Sequence, residues 1–151
     1  AAQHDWLAAS LSETARPVAL FLHYPVYLDD PADPARSHAV ILPESREALL
    51  ALIDAHPTVR LVASGHLHEE RRAERNRVVY QWAPATSFLT TTGGHGGTAS
   101  VGFLVHRFDG ETFTTEQMSA RWMIAHDIAS WGNTEPHGYY EIVKRPFPSV
   151  A

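Results

Sequence analysis

Two short stretches of unbroken apolar sequence stand out along the chain, Val18 to Leu22 and Leu61 to Ala63. Runs of this length without polar alternation read as strands covered on both faces. The second extends to a strand over 59–64, bounded by Pro57 upstream and Gly65 downstream. Between the two strands, residues 43–56 carry a helical stripe of Leu49, Leu50 and Ile53, opened by Pro43 and Glu44, which suit a helix start. Residues 2–15 predict another helix, with Leu7 and Leu11 four apart and Trp6 and Ala15 near the same stripe; Arg16-Pro17 closes it. Strand, helix, strand in that order predicts a parallel crossover of right-handed sense. Further on, Val78 to Trp82 reads as a strand. Phe103 to Phe108 and Thr112 to Met118 read as a hairpin turning at Asp109-Gly110. Beyond 121, Trp122, Met123 and Ile128 are expected to face the core. An aromatic loop over 131–140, an edge strand over 139–143 and a proline-containing tail over 144–151 complete the reading.

The polar stretches are less regular. Residues 25–42 form a long connection with prolines at 25, 31 and 34 and aspartates at 29, 30 and 33. Leaving directly from His23, it serves equally well as one wall of a site or as a solvated acidic loop. His38 lies within it, read as an exposed residue or a substrate contact. Glu69 to Arg77 is a charge run, read as a solvated hairpin end, with Arg71 and Arg72 close enough to the preceding histidines to meet a phosphate. The glycine-rich stretch around His95, Thr90 to Gly97, fits no phosphate-loop pattern and reads as an ordinary loop, with His95 a candidate for substrate contact.

The chemistry concentrates at the two strand exits. His23 ends the first apolar strand, and Gly65-His66-Leu67-His68 follows the second. In extended backbone, side chains two apart point the same way, so His66 and His68 are expected to converge, with Leu67 directed into the core. Gly65 is expected to make the turn where a side chain would clash. Such strand ends are where open α/β sheets place their ligands. Three imidazoles suit Zn, Fe, Mn or Co without choosing among them, and a three-histidine zinc site with an open position is one possibility. A surface turn with incidental histidines is the bland alternative.

Composition narrows this picture modestly. At 151 residues, 44% hydrophobic and 19% charged, the chain fits one globular domain spanning 1–151. A net charge of -5 argues against a broad nucleic-acid grip, although metals would supply local positive charge for a phosphate. Ten histidines and no cysteines leave imidazole, carboxylate and amide as the available metal ligands. No apolar run approaches the ~20 residues of a membrane span. The expected location is cytoplasmic.

Strand-His23-Tyr24-Pro25, a helix, then strand-Gly65-His66-Leu67-His68 resembles the C-terminal half of the calcineurin-like metallophosphoesterases. Gln3-x-x-Trp6-Leu7 also resembles the segment preceding the first strand in that family. The resemblance runs from about Gln3 to His68. It implies an α/β fold: half of a metallophosphoesterase β-sandwich with flanking helices and a mixed sheet. It implies a site for two divalent or trivalent ions (Mn, Fe or Zn), His23 and His66 binding one and His68 the other. The implied activity is phosphoester hydrolysis, of phosphodiester type, by in-line attack of a hydroxide activated between the ions. The family's Asp-x-His, Gly-Asp-x-x-Asp and Gly-Asn-His-Asp/Glu motifs, which supply the bridging carboxylate, are not found. Asp54-Ala55-His56 and Gly132-Asn133-Thr134-Glu135 match parts of them by letter but stand in the wrong order. The chain therefore reads as a portion that supplies C-terminal ligands, is inactive alone, and works on a small phosphoester with an N-terminal half or a second copy as partner. A half-sandwich would leave Val18 to Leu22 and Leu61 to Ala63 with exposed apolar faces. A non-catalytic metal-binding or interaction module is the alternative. A serine hydrolase is not supported, since neither Ser64 nor Ser87 sits in a Gly-x-Ser-x-Gly elbow.

Overall fold

The computed structural model describes residues 2–87, 94–110 and 112–119, and the backbone alone of 88–89 and 126–127. The expectations for Trp122, Met123, Ile128 and the stretches 131–140, 139–143 and 144–151 lie outside the described residues, as do Gly132 to Glu135.

The chain runs α1 (Ala2–Ser12), β1 (Val18–Leu22), α2 (Pro43–Ala55), β2 (Val59–Ser64), β3 (Glu69–Arg75), β4 (Val78–Trp82), β5 (Phe88–Leu89), β6 (Thr98–Ala99), β7 (Phe103–Asp109), β8 (Thr112–Met118) and β9 (His126–Asp127). The fold is mixed α/β. A five-stranded sheet has the order β1-β2-β4-β3-β6, with β7-β8 and β5-β9 as separate pairs. β1, β2 and β4 run parallel, and β3 is antiparallel to both β4 and β6.

The pattern of apolar residues accounts for most of this. Leu20, Val62 and Tyr80 stand in one cross-strand row, while Ala19, Leu61 and Val79 stand in the next. Because side chains alternate across a sheet, the two rows face opposite sides. The first row packs with Leu50, Leu52 and Ile53 of α2, Leu11 of α1, and Val26 and Tyr27. The second packs with Ala63 and with Phe113 of β8. β2 is thereby closed on both faces, with Leu61 0% and Val62 2% exposed. The expectation that Leu61 to Ala63 would present an apolar face is not met, because the β7-β8 hairpin covers it. It is met at β1, which forms the sheet edge and leaves Phe21 64% exposed.

Local chemistry sets the helix ends. α2 has proline in its first turn and closes at His56, whose Nδ1–H donates to the Leu52 carbonyl at 2.8 Å. α1 stops at Ser12, short of the expected 15. There Ser12 Oγ donates back to the Ala8 carbonyl and Thr14 Oγ1 accepts from the Arg16 amide, which draws the backbone out of the helix before Pro17. Leu7, Ala8 and Leu11 face the core, but Trp6 is 69% exposed, off the stripe assigned to it.

The charge run Glu69 to Arg77, read as a solvated hairpin end, is indeed one arm and the turn of a hairpin with β4, but it is a regular strand whose first residue is buried. It is strand β3 followed by a two-residue turn at Asn76-Arg77, with φ of 47° and 64°. Arg75 makes a forked pair with Asp54 of α2, at 2.6 and 2.7 Å, tying helix to sheet. That pairing removes Asp54-Ala55-His56 from consideration as a metal motif. The Arg75 hydrogen bond holds the Asp54 carboxyl below its ordinary range. A lowered carboxyl pKa stabilises the fold above the ordinary carboxylate pKa, and the contribution disappears as pH falls through the folded value. The two side chains are 26% and 31% exposed, so solvent screens the pair. Asp54→Asn is expected to cost about 1 kcal/mol at pH 7 and almost nothing near pH 2, read from urea denaturation at both pH values.

Candidate metal site

Parallel pairing brings the histidines together. Leu22 of β1 lies opposite Ser64 of β2, so the two strands leave the sheet side by side. The Gly65 amide donates to the His23 carbonyl at 3.2 Å, fixing the first residue beyond each strand. His23 and His66 then meet, with ring centroids 5.0 Å apart.

The turn itself differs from the expectation. Gly65 does not adopt positive φ, and a Cβ there would meet nothing within 4 Å. The left-handed residues are the histidines, with φ of 69° at His66 and 59° at His68. The two are therefore not presented from extended backbone. Left-handed backbone costs an L-residue about 1–2 kcal/mol, and such outliers gather at functional sites. Leu67 between them is buried against Ala39, Val40 and Trp82, as expected, and anchors the strained turn.

The hydrogen bonds define the protonation of the pair. His66 Nε2 lies 2.9 Å from the His38 carbonyl oxygen, so that nitrogen carries the hydrogen and donates. His66 Nδ1 is then a bare lone pair, 3.2 Å from His23 Nε2, which donates to it. Burial pushes the His66 imidazole below the usual histidine range. The nearby His23, His68 and His95 add to this, against the opposing effect of the His38 carbonyl. A neutral imidazole with one free nitrogen is the metal-binding form.

The donor set fits a metal in part. Two nitrogens held at ~2.0–2.1 Å on one ion lie about 3 Å apart, close to the separation of His66 Nδ1 and His23 Nε2. The remaining His66 nitrogen is oriented by a backbone carbonyl, the usual support for a metal-binding histidine. His68 Nδ1 is buried without a hydrogen-bond partner among the described residues, a donor awaiting a function. Among those residues no three His, Asp or Glu side chains converge on one point.

Three further residues shape the surroundings. Tyr24 packs its ring against both imidazoles, at 4.2 Å from His66 and 4.8 Å from His23. Glu69, read as part of a solvated charge run, is 2% exposed. Its carboxylate accepts the His95 amide at 3.0 Å and the Gly97 amide at 2.8 Å, drawing the glycine-rich loop onto the start of β3. The approach is close enough that a Cβ at Gly97 would sit 2.8 Å from the Glu69 Cβ. Arg71 stacks on Trp82 at 4.9 Å, pairs with Asp29 and donates to the His95 carbonyl. It joins the acidic loop to the glycine-rich one and is not free for a phosphate. Arg72 pairs with Glu74 on the surface. The His38 side chain is exposed; its backbone does the work. The one available signal for Glu69 was its place, directly after His68 at the first position of a strand.

Relatives in sequence bear on this geometry. Over 85 residues, the chain is 38% identical to a 3',5'-cyclic-nucleotide phosphodiesterase of Nostoc sp.. It is 35% identical to a probable cyclic nucleotide phosphodiesterase of Synechococcus sp., again over 85 residues. The resemblance to phosphoesterases holds. The matched stretch is 56% of this chain but only 30% and 32% of those relatives' lengths, so the chain spans about a third of each. Superposition on a dimetal phosphatase from Danio rerio gives a TM-score of 0.49 at 20% identity, covering 78% of this chain and 38% of that one. No family model matches the chain. No helix among the described residues is long and apolar enough to cross a membrane.

Proposed function

We propose that this chain contributes the C-terminal ligands to a dimetal phosphoesterase of phosphodiester type. His23 and His66 hold one ion and His68 the other. The reading rests chiefly on the paired nitrogens of His23 and His66, 3.2 Å apart, with the second His66 nitrogen bonded to the His38 carbonyl. The cyclic nucleotide phosphodiesterases similar to it support a phosphodiester substrate. When bound, two ions of Mn, Fe or Zn supply Lewis-acid polarisation of the phosphoryl group and a nucleophile at neutral pH.

The chain's own residues do the rest. To hold an ion through Nε2, His23 would be in the neutral tautomer that carries its hydrogen on Nδ1. The His38 carbonyl keeps the His66 hydrogen on Nε2, so Nδ1 faces inward. Tyr24 limits rotation of both rings and shields them from water on one side. Bridging carboxylates would come from a segment carrying the family's N-terminal motifs, which this sequence does not hold. Edge strand β1, apolar throughout and exposed at Phe21, is the natural place for that segment to pair.

The test is hydrolysis of bis(p-nitrophenyl) phosphate with Mn²⁺. Alone, the chain is expected to give no turnover above the metal blank. Joined to a segment carrying the carboxylate motifs, it is expected to turn over, and His66→Ala is expected to reduce the rate at least ~10²-fold. A non-catalytic metal-binding or interaction module is favoured instead if the joined protein binds metal and does not hydrolyse. The lack of a three-donor cluster among the described residues keeps that alternative open.

A further inference from the structure

Between α2 and the acidic loop that follows β1 lies an open groove of about 790 Å³. Its apolar walls are Pro31 and Pro34 on the loop side and Pro43, Leu50 and Ala51 on the helix side. Arg46 lines it as well, and Arg46 is 3% exposed, a charged side chain as deeply buried as the core leucines.

The surroundings of Arg46 leave its charge unanswered. The guanidinium donates to the Asp33 carbonyl, an uncharged acceptor. Among the described residues no carboxylate forms an ion pair with it. The acidic groups around the groove are engaged elsewhere. Glu44 takes the fork of Arg36, and Asp54 takes that of Arg75. Asp33 turns its own carboxylate to the Ala35 amide, at 2.8 Å. Glu47 is exposed and follows Arg46 directly in α2, where residues one apart do not face each other. A buried charge without a counter-ion is costly, and an anion arriving from outside offsets that cost.

The same pairings decide which anion. A guanidinium meets a carboxylate with two parallel N–H donors. One unanswered cation balances one negative charge, whereas a phosphate dianion would bring a second charge close to Glu44, Glu47 and Asp54. The proline, leucine and alanine walls take an apolar body, and the volume falls in the range of small-ligand sites, ~300–1,000 Å³. We infer that this groove binds a small organic monocarboxylate, its carboxylate on Arg46 and its apolar body along Pro31, Pro43 and Leu50. The site stands independently of the phosphoesterase reading, since its lining includes neither His23, His38, His66 nor Tyr24.

The probe is hexanoate, with hexanol as the uncharged comparison and inorganic phosphate as the more highly charged one. Backbone amide resonances of the 151-residue chain are followed in each titration. Hexanoate is expected to shift Ala32, Asp33, Arg46, Glu47, Leu50 and Ala51, and hexanol and phosphate to leave them in place. Arg46→Met keeps most of the side-chain bulk without the charge and is expected to weaken hexanoate binding at least ~10-fold. Ala51→Phe, at an exposed helix position, is expected to fill the groove and weaken binding similarly with the fold intact. Hexanoate shifts that are absent or map elsewhere overturn the site, as do equal shifts with hexanol or tighter binding of phosphate. Affinity in Arg46→Met within about twofold of the unaltered chain overturns it too. Should that variant not fold, unchanged affinity in Ala51→Phe does the same. His66→Ala is expected to leave hexanoate binding unchanged, whatever its effect on zinc, so loss of the metal reading and loss of this site are separate results.

Discussion

Glu69→Ala is expected to destabilise the fold by about 2–4 kcal/mol, the larger of the two stability losses predicted for ion-pair or capping residues. The residue is 2% exposed and its carboxylate accepts two backbone amides, those of His95 and Gly97. Hydrogen bonds to a charged acceptor contribute about 1.5–3 kcal/mol each. Truncation leaves both amides without their partner and opens a void against the glycine-rich loop. Glu69→Gln keeps the shape and one acceptor oxygen but loses the charge, so it is expected to cost about half as much. Thermal denaturation of the two variants checks the order. An unchanged midpoint in Glu69→Ala would show that the loop is held by something else. Local protection should report the same effect: amide exchange at His95 and Gly97 is expected to accelerate in Glu69→Ala before the core strands respond.

The second large effect concerns the histidines. His23→Ala and His66→Ala are each expected to weaken metal binding at least ~10²-fold, because each removes one of the two facing nitrogens 3.2 Å apart. The double variant is expected to be little worse than either single one, since half of a two-point ligand is already lost. His68→Ala is expected to spare that first ion, because its buried Nδ1 has no bond to either of the other two rings. Folding should be unaffected by His23→Ala, whose side chain is exposed. His66→Ala relieves no left-handed strain, so its stability change is expected to stay below ~1 kcal/mol.

How far the sequence carried the structure is visible element by element. The strands at Val18 to Leu22 and Val59 to Ser64 were legible from their apolar runs, although only β2 is covered on both faces; β1 is the sheet edge and leaves Phe21 exposed. α2 was legible from Pro43, Glu44 and its leucine stripe. The pairing of His23 with His66 was what the family resemblance implied, whereas the residues alone pointed to His66 and His68 converging; the parallel register brings His23 and His66 side by side. β3 was legible only as a hairpin end, not as a full strand of the sheet, because its residues are almost all charged: Glu69-Glu70-Arg71-Arg72-Ala73-Glu74-Arg75 has no apolar alternation to read. The charges there are spent on partners distant in sequence, Asp29 and Asp54 among them, and no local pattern encodes such pairing. The short strands β5, β6 and β9 are two residues each, too brief for any periodic signal. The turn at His66 was mislocated for a related reason. Glycine marks permission for left-handed backbone, but here the strain falls on the histidines themselves, held by burial of Leu67.

The central claim is that His23 and His66 together bind one metal ion through Nε2 and Nδ1, respectively. The most direct measurement is imidazole ¹⁵N NMR of the chain during zinc titration. The account predicts that His23 Nε2 and His66 Nδ1 shift together at the same zinc equivalence, while His66 Nε2 keeps its hydrogen and its bond to the His38 carbonyl. Zinc bound tightly with both of those nitrogens unmoved, or neither shifting at saturating zinc, would contradict it.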